Sequence, residues 1–294
     1  MIKTAVFGYG NVGKAVVEAV LCAGDFELVA VVDNALAGQQ AAGQTIKSNE
    51  EGLPPVDVAI LAVPSRLAPG LAESLLQKGI YTVDGYDIHG NIPEVWEKLG
   101  KVAKENNAAA ILSAGWDPGT DSVIRTLFEA MAPRGITYTN FGPGMSMGHS
   151  VAAKAAPGVA DALSLTIPTG AGVHRRMVYI QMEEGADFEA AAKSIKADDY
   201  FAHDETHVQQ VEDVRALMDM GHGTQIERKG ASGNTQNQLF SFEMRIDNPA
   251  LTAQVLVCAA RAVLRQQSGC YTLIEIPPVD FLPGPRADAV RRLV

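Results

Sequence analysis

Lysine and arginine never gather into a run in this 294-residue chain, and its formal net charge is −10. Neither a nucleic-acid groove nor docking to an anionic membrane surface is expected. No apolar stretch approaches the roughly 20 residues that a membrane span needs. Lys3 is followed at once by a short apolar run, which is no signal-peptide layout. Cysteine is scarce: Cys22, Cys258 and Cys270 are unclustered. That excludes a disulfide framework and suits buried thiols in a reducing cytoplasm. Zinc-ligand spacings, a GxSxG elbow and a Walker loop are all missing, so no metal site is expected. There is no internal repeat and no low-complexity segment. What remains, 47% hydrophobic and 20% charged, is the composition of a soluble globular protein with one large or two ordinary domains.

The first 33 residues carry the strongest pattern. An apolar run, Ile2 to Phe7, meets Gly8-Tyr9-Gly10-Asn11-Val12-Gly13, then a segment of helical periodicity from Lys14 to Ala23, stopped by Gly24. A second apolar run, Phe26 to Val32, ends at Asp33. Strand, glycine turn, helix, strand and acid in this order form a dinucleotide-binding fingerprint. Gly8 makes the turn, Gly10 admits a pyrophosphate, and Gly13 brings helix and strand together. The helix N-terminus offers N–H groups and a positive dipole end to the phosphates. Asp33 suits the ribose 2′-hydroxyl of NAD and would repel the 2′-phosphate of NADP. Asn34 and Ala35 place no arginine beside it, although Arg66 could reach a phosphate. An exposed acid at a strand end is the plainer reading of Asp33.

Further strands are predicted at Val56–Val63, Ile80–Val83 and Ala108–Leu112, with helices at Leu67–Leu76 and Ile92–Asn106. Leu36–Pro55 reads as loop with at most a short strand. Such alternation builds a doubly wound, Rossmann-type parallel sheet. After a helix at Thr120–Met131 the period changes to two: Leu163, Leu165 and Ile167 alternate with polar residues, as do Phe240, Phe242, Met244 and Ile246. Arg176–Met182 is another strand and Phe188–Ile195 a helix. The second domain is therefore α+β, with an open-faced mixed or antiparallel sheet. A long helix, Asn248–Gln267, leads back to the first domain. The expected division is 1–118 for dinucleotide binding, 119–247 for substrate binding and dimerisation, and 248–294 for a returning helix and tail.

Ligands of a doubly wound sheet lie beyond the carboxyl ends of its strands. Val63-Pro64-Ser65 there can border the cofactor. Asp87 and Asp117, from Asp84-Gly85-Tyr86-Asp87 and Gly115-Trp116-Asp117-Pro118-Gly119, would project into one cleft. Together they could bind an amine, or one could act as a base. Asp117 reads equally well as a helix start before Pro118, and Asp87 as a turn residue. The glycine-rich stretch Phe141 to Ser150 suits a loop touching ligand or an ordinary connection, and its His149 could be a general acid or a structural hydrogen-bonding residue. His174-Arg175-Arg176 offers a guanidinium fork for a carboxylate, with one of the arginines expected to be solvated charge.

These stretches together resemble the meso-diaminopimelate dehydrogenase family over nearly the whole chain. The Trp-Asp-Pro-Gly of Trp116–Gly119 and the pair Gly142-Pro143-Gly144 with Gly148-His149-Ser150 carry the resemblance most specifically. It implies that Asp87 and Asp117 hold the D-centre amine near the nicotinamide, with Trp116 as a pocket wall. Met147 and Gly148 would contact substrate, and Thr166, Arg176, His222 and Asn237 would bind the distal amino-acid end. The family's homodimer, its place in lysine biosynthesis and its usual preference for NADP are implied too. Asp33-Asn34-Ala35 stands where the family carries basic residues, so the cofactor is NADP by family habit and NAD by Asp33. The expected reaction is reversible oxidative deamination of the D-centre of meso-2,6-diaminopimelate or a related D-amino acid. Another Rossmann oxidoreductase and a non-catalytic dinucleotide sensor are the alternatives.

Overall fold

The structure is a computed structural model that describes residues 1–217 and 221–294, with Met147 described by its backbone alone. The chain forms two compact units, one of residues 1–123 with 249–294 and one of residues 124–248.

The first unit starts with β1 (Ile2–Phe7), α1 (Asn11–Cys22) and β2 (Phe26–Val32). Gly13, Val16, Val17 and Val20 make the buried stripe of α1 at helical spacing. A two-stranded hairpin, β3 (Gln40–Ala41) and β4 (Gln44–Thr45), occupies the stretch read from sequence as loop with at most a short strand. Then come β5 (Val58–Leu61), α2 (Ala68–Gln77), β6 (Tyr81–Asp84), α3 (Ile92–Glu105) and β7 (Ala109–Ile111). Every residue of β5 and β7 is buried, as strands covered on both faces require. The helix α4 (Thr120–Met131) leads into the second unit.

In the second unit follow β8 (Arg134–Phe141), β9 (Gly144–Met145), α5 (Met147–Lys154), β10 (Val159–Gly170), β11 (Val173–Met182), α6 (Phe188–Ala197), β12 (Glu205–Gln210), β13 (His222–Ser232) and β14 (Thr235–Ile246). They build two sheets, ordered β12-β11-β10-β9 and β14-β13-β8. The first is mixed, because β12 runs parallel to β11 while the other pairs are antiparallel. Along β14 exposed and half-buried residues alternate, so one face of this edge strand is open.

The chain then returns to the first unit through α7 (Asn248–Val263), β15 (Gly269–Tyr271) and α8 (Arg286–Leu293). The strand β15 pairs in parallel with β7 and completes a six-stranded parallel sheet, β15-β7-β6-β5-β1-β2. The fold is thus α/β, with a doubly wound parallel sheet and a second α+β unit. The α7 residues Ala253, Leu256, Ala260 and Val263 pack in one core with Val6, Val16 and Val31. Buried Arg261 anchors the helix: its Nε and Nη2 donate to the Asp25 carboxylate at 2.5 and 2.9 Å, and its Nη1 donates to the Phe281 carbonyl at 2.8 Å. The hydrogen bonds from Arg261 hold the Asp25 carboxyl below its ordinary range.

The predicted helix Asn248–Gln267 ends earlier, at Val263. Five strands escaped the sequence reading: β8, β9, β12, β13 and β15. The Phe141–Ser150 stretch is also more ordered than the loop expected, since it contains β9 and opens α5. Among the described residues no helix is long and apolar enough to cross a membrane. All three cysteines are free thiols.

Candidate active site

The glycine turn is built as its spacing demands. A Cβ on Gly13 would stand 2.0 Å from the Gly8 carbonyl oxygen, and one on Gly8 would stand 2.3 Å from that of Ala62. Nothing lies within 4 Å of a Cβ placed on Gly10, which opens toward solvent. Asp33 reaches back to this turn. Its Oδ2 accepts the Tyr9 N–H at 2.8 Å, and its Oδ1 accepts those of Ala35 and Leu36 at 2.9 and 3.2 Å. The carboxylate is thus oriented by one backbone N–H of the glycine turn and two of the segment that follows Asp33.

A cavity of about 760 Å³ lies over this region. Gly8, Gly10, Asn11, Val12, Asp33, Asn34, Val63 and Pro64, residues assigned from sequence to the cofactor, are among those that line it. Ser48, Asn49 and Glu50 line it too and were missed. They follow Lys47, whose carbonyl accepts the Asp33 N–H at 2.9 Å, a long-range pairing without a local signature. Asp33 and Glu50 are the charged side chains among the described residues lining the cavity. Tyr9, Gly13 and Ser65 are not part of the lining. Tyr9 and Gly13 shape the turn, and Ser65 turns elsewhere.

The Ser65 hydroxyl donates to Asp87 Oδ1 at 2.6 Å, and the Asp87 N–H donates back to Ser65 Oγ at 3.3 Å. Ser65 follows β5 and Asp87 follows β6, the neighbouring strand. Trp116 and Asp117 follow β7, the next one. Both are half-buried, whereas Asp87 is exposed. The Trp116–Gly119 turn is tight: Gly115 N–H donates to the Pro118 carbonyl at 3.1 Å, and a Cβ on Gly119 would meet the Gly115 carbonyl oxygen at 1.8 Å. Asp117 stands three residues ahead of Thr120, the first residue of α4.

In the second unit, Thr166 and Arg176 are cross-strand partners on β10 and β11. The Arg176 guanidinium donates through Nη1 to Thr166 Oγ1 and through Nε to Asp204 Oδ2 at 2.6 Å. Asp204 was not read from sequence, because a lone acid in a turn carries no signal. Arg175 points to the opposite face, as period two requires, and pairs there with exposed Glu205. Gly144 of β9 pairs with Thr166, and His222 Nδ1 lies 2.8 Å from the Met145 carbonyl oxygen. Thr166, Arg176 and His222 are thus gathered around β9. Gly148 lies exposed in the first turn of α5, and the Met147 side chain lies outside the described atoms.

Asn237 does not join this group. It stands near the tip of the β13–β14 hairpin, whereas His222 is paired with Ile246 at the hairpin's base. At ~3.3 Å per residue the two positions on β14 are roughly 30 Å apart. Asn248, two residues beyond Ile246 at the start of α7, is the asparagine at the base. His174 accepts the Phe141 N–H at Nε2, 2.8 Å away, which makes it a structural acceptor. His149 pairs with Ser146 Oγ at 2.8 Å and meets Tyr200 and Phe201 edge-on. Burial, with Arg176 nearby, pushes its pKa down to about 4. The imidazole is neutral at pH 7, which suits a structural hydrogen-bonding residue rather than a general acid.

Comparison with known proteins gives a concordant picture. Residues 115–173 match the family described as the diaminopimelic acid dehydrogenase C-terminal domain. The chain is 56% identical to the meso-diaminopimelate D-dehydrogenase of Bacteroides fragilis, over 100% of this chain and 99% of that one. The structure resembles that of the Corynebacterium glutamicum DAP dehydrogenase in complex with DAP, with TM-score 0.84, 28% identity and coverage of 100% and 99%. It also resembles an engineered D-amino acid dehydrogenase bound to NADP+, with TM-score 0.82, 27% identity and the same coverage. With a parallel sheet that ends in the Gly8–Gly13 turn and a relative of this identity along its full length, the chain belongs to the meso-diaminopimelate D-dehydrogenase family of oxidoreductases.

Proposed function

We propose that the protein oxidatively deaminates the D-configured centre of meso-2,6-diaminopimelate to the 2-oxo acid and ammonia, a reaction of lysine biosynthesis. The observation that supports this reading is that Ser65, Asp87 and Asp117 follow the carboxyl ends of three adjacent parallel strands, in the sheet that bears the Gly8–Gly13 turn, with Ser65 bonded to Asp87. Two carboxylates suit an ammonium group. Asp87 and Asp117 hold the amine of the reacting centre, and Ser65 orients Asp87. Trp116 walls the pocket. Thr166, Arg176 and His222 take the distal amino-acid end, with Asn248 in place of Asn237. Gly148 and Met147 border the substrate.

The glycine turn and the open N-terminus of α1 fit a dinucleotide, whose nicotinamide supplies the hydride acceptor. This chain's residues hold the α-carbon in place, and the amine gives up a proton before hydride leaves. The resulting imine takes up water and releases ammonia. Positioning is the main contribution, because hydride transfer needs the two carbons close and aligned. NAD is the proposed cofactor. The cavity wall near Asp33 offers Asp33 and Glu50 and no cation to a 2′-phosphate among its described lining residues. The protein is proposed to work as a cytoplasmic homodimer. Its three free thiols suit a reducing compartment, and the exposed β14 edge, with Leu239 66% exposed, is the surface offered for pairing.

The test is the absorbance of reduced nicotinamide with meso-diaminopimelate and either NAD or NADP. Turnover with the meso isomer and none with the L,L isomer is expected. No turnover with either dinucleotide, with dinucleotide binding intact, would refute the activity.

A further inference from the structure

Asp84 is the last residue of β6, and it is fully buried. Its main-chain carbonyl accepts the Ala114 N–H at 2.7 Å. Its side-chain Oδ1 accepts two more: Tyr86 N–H at 2.9 Å and Ser113 N–H at 3.3 Å. Tyr86 immediately precedes Asp87, and Ser113 opens the Ser113–Asp117 loop. One side chain therefore ties together the loops that carry both carboxylates. Ser113 is held there at φ 60°, a conformation uncommon for a residue with a Cβ.

The arrangement is costly. Asp84 Oδ2 is buried with no hydrogen-bond partner among the described residues, and so are Ser113 Oγ and Thr82 Oγ1. Burial pushes the Asp84 carboxyl up to about 6. An apolar residue would fill a parallel strand's end without that cost, but would leave two backbone N–H groups without an acceptor and the two loops untied.

We propose that Asp84 is a positioning residue of the deamination, setting the separation and aim of Asp87 and Asp117 by anchoring both of their loops on one carboxyl oxygen. The inference rests on the reading of Asp87 and Asp117 as the amine-binding pair.

The test uses the full chain with Asp84→Val, which fills the volume but removes the acceptor, and Asp84→Asn, which keeps an acceptor oxygen. Asp87→Asn and Asp117→Asn serve as references. Asp84→Val is expected to lower kcat about 100-fold and raise KM for meso-diaminopimelate, with dinucleotide Kd within about twofold of the unmodified protein. Asp84→Asn is expected to restore kcat to within about threefold. A kcat in Asp84→Val near the unmodified value overturns the proposal. So does a loss of dinucleotide affinity in step with kcat, or a failure of Asp84→Val to fold, since either makes Asp84 a support of the whole sheet. Unchanged kcat in both reference variants would refute the amine-binding reading itself. Impaired references beside a fully active Asp84→Val would refute this inference alone.

Discussion

Ser65 and Asp87 hold each other reciprocally, hydroxyl to Oδ1 at 2.6 Å and N–H to hydroxyl at 3.3 Å, across the ends of neighbouring strands. The pair fixes an exposed carboxylate that would otherwise sample several rotamers. Ser65→Ala is expected to lower kcat about tenfold, the ~1.4 kcal/mol of one charge-assisted hydrogen bond. Asp87→Asn is expected to lower it about 100-fold. Steady-state kinetics decide, and equal effects from both variants would show that Asp87 acts only through Ser65.

The two neighbouring arginines differ in kind. Arg176 has a 12% exposed side chain held by Thr166 and Asp204, whereas Arg175 makes an exposed pair with Glu205. Arg176→Ala is expected to raise KM for meso-diaminopimelate about 100-fold, with a smaller effect on kcat. Arg175→Ala should change KM less than about twofold, because exposed ion pairs contribute little. A KM that responds to Arg175 and not to Arg176 would reverse the assignment.

Asp33 both braces the glycine turn and places negative charge at the cavity wall. Asp33→Asn keeps an acceptor for the backbone and removes the charge. It is expected to lower the NAD-over-NADP ratio of kcat/KM about tenfold, chiefly through a lower KM for NADP. An unmodified protein that prefers NADP would contradict the cofactor proposal.

The buried Asp84 carboxyl makes stability depend on pH with an unusual sign. Its folded pKa of about 6 lies above the ordinary 3.8. Between those values the native state binds more protons than the unfolded chain, so stability falls as pH rises through this window. The penalty is absent below the lower value and amounts to about 3 kcal/mol above the upper one. Asp84→Asn is therefore expected to be more stable than the unmodified protein at pH 8, by up to about that amount, and to match it near pH 4. Urea unfolding at the two pH values measures the difference, and a difference that does not vary with pH would refute the buried, ionised carboxylate.

The nucleotide half was legible in the sequence because its signals are local. Apolar runs of strand length, glycines at a fixed spacing and a helical stripe at Val16, Val17 and Val20 all lie within a few residues of one another. Thr120–Met131 was read to the residue for the same reason. The resemblance rested on equally local runs, and it pointed to Asp87, Asp117, Thr166, Arg176 and His222, of which the fold gathers Thr166, Arg176 and His222 around β9. It set Asn237 in the same group, but the β13–β14 register puts that residue near the hairpin tip, while His222 pairs with Ile246 at the base.

Tertiary structure decided what depends on contacts between distant stretches. Gly269–Tyr271 carries no periodicity in three residues, and becomes the sixth strand only because β7 offers an unpaired edge. Asp84 is one acid at the end of an apolar run until Tyr86 and Ser113 bring their N–H groups to it. Asp204 acquires a partner only when β11 carries Arg176 past it. A periodic pattern records which way a side chain faces along its own element, so helices, strands and the glycine turn can be read from the chain. Partners brought together by the pairing of remote strands leave no such record, and folding alone assembles them.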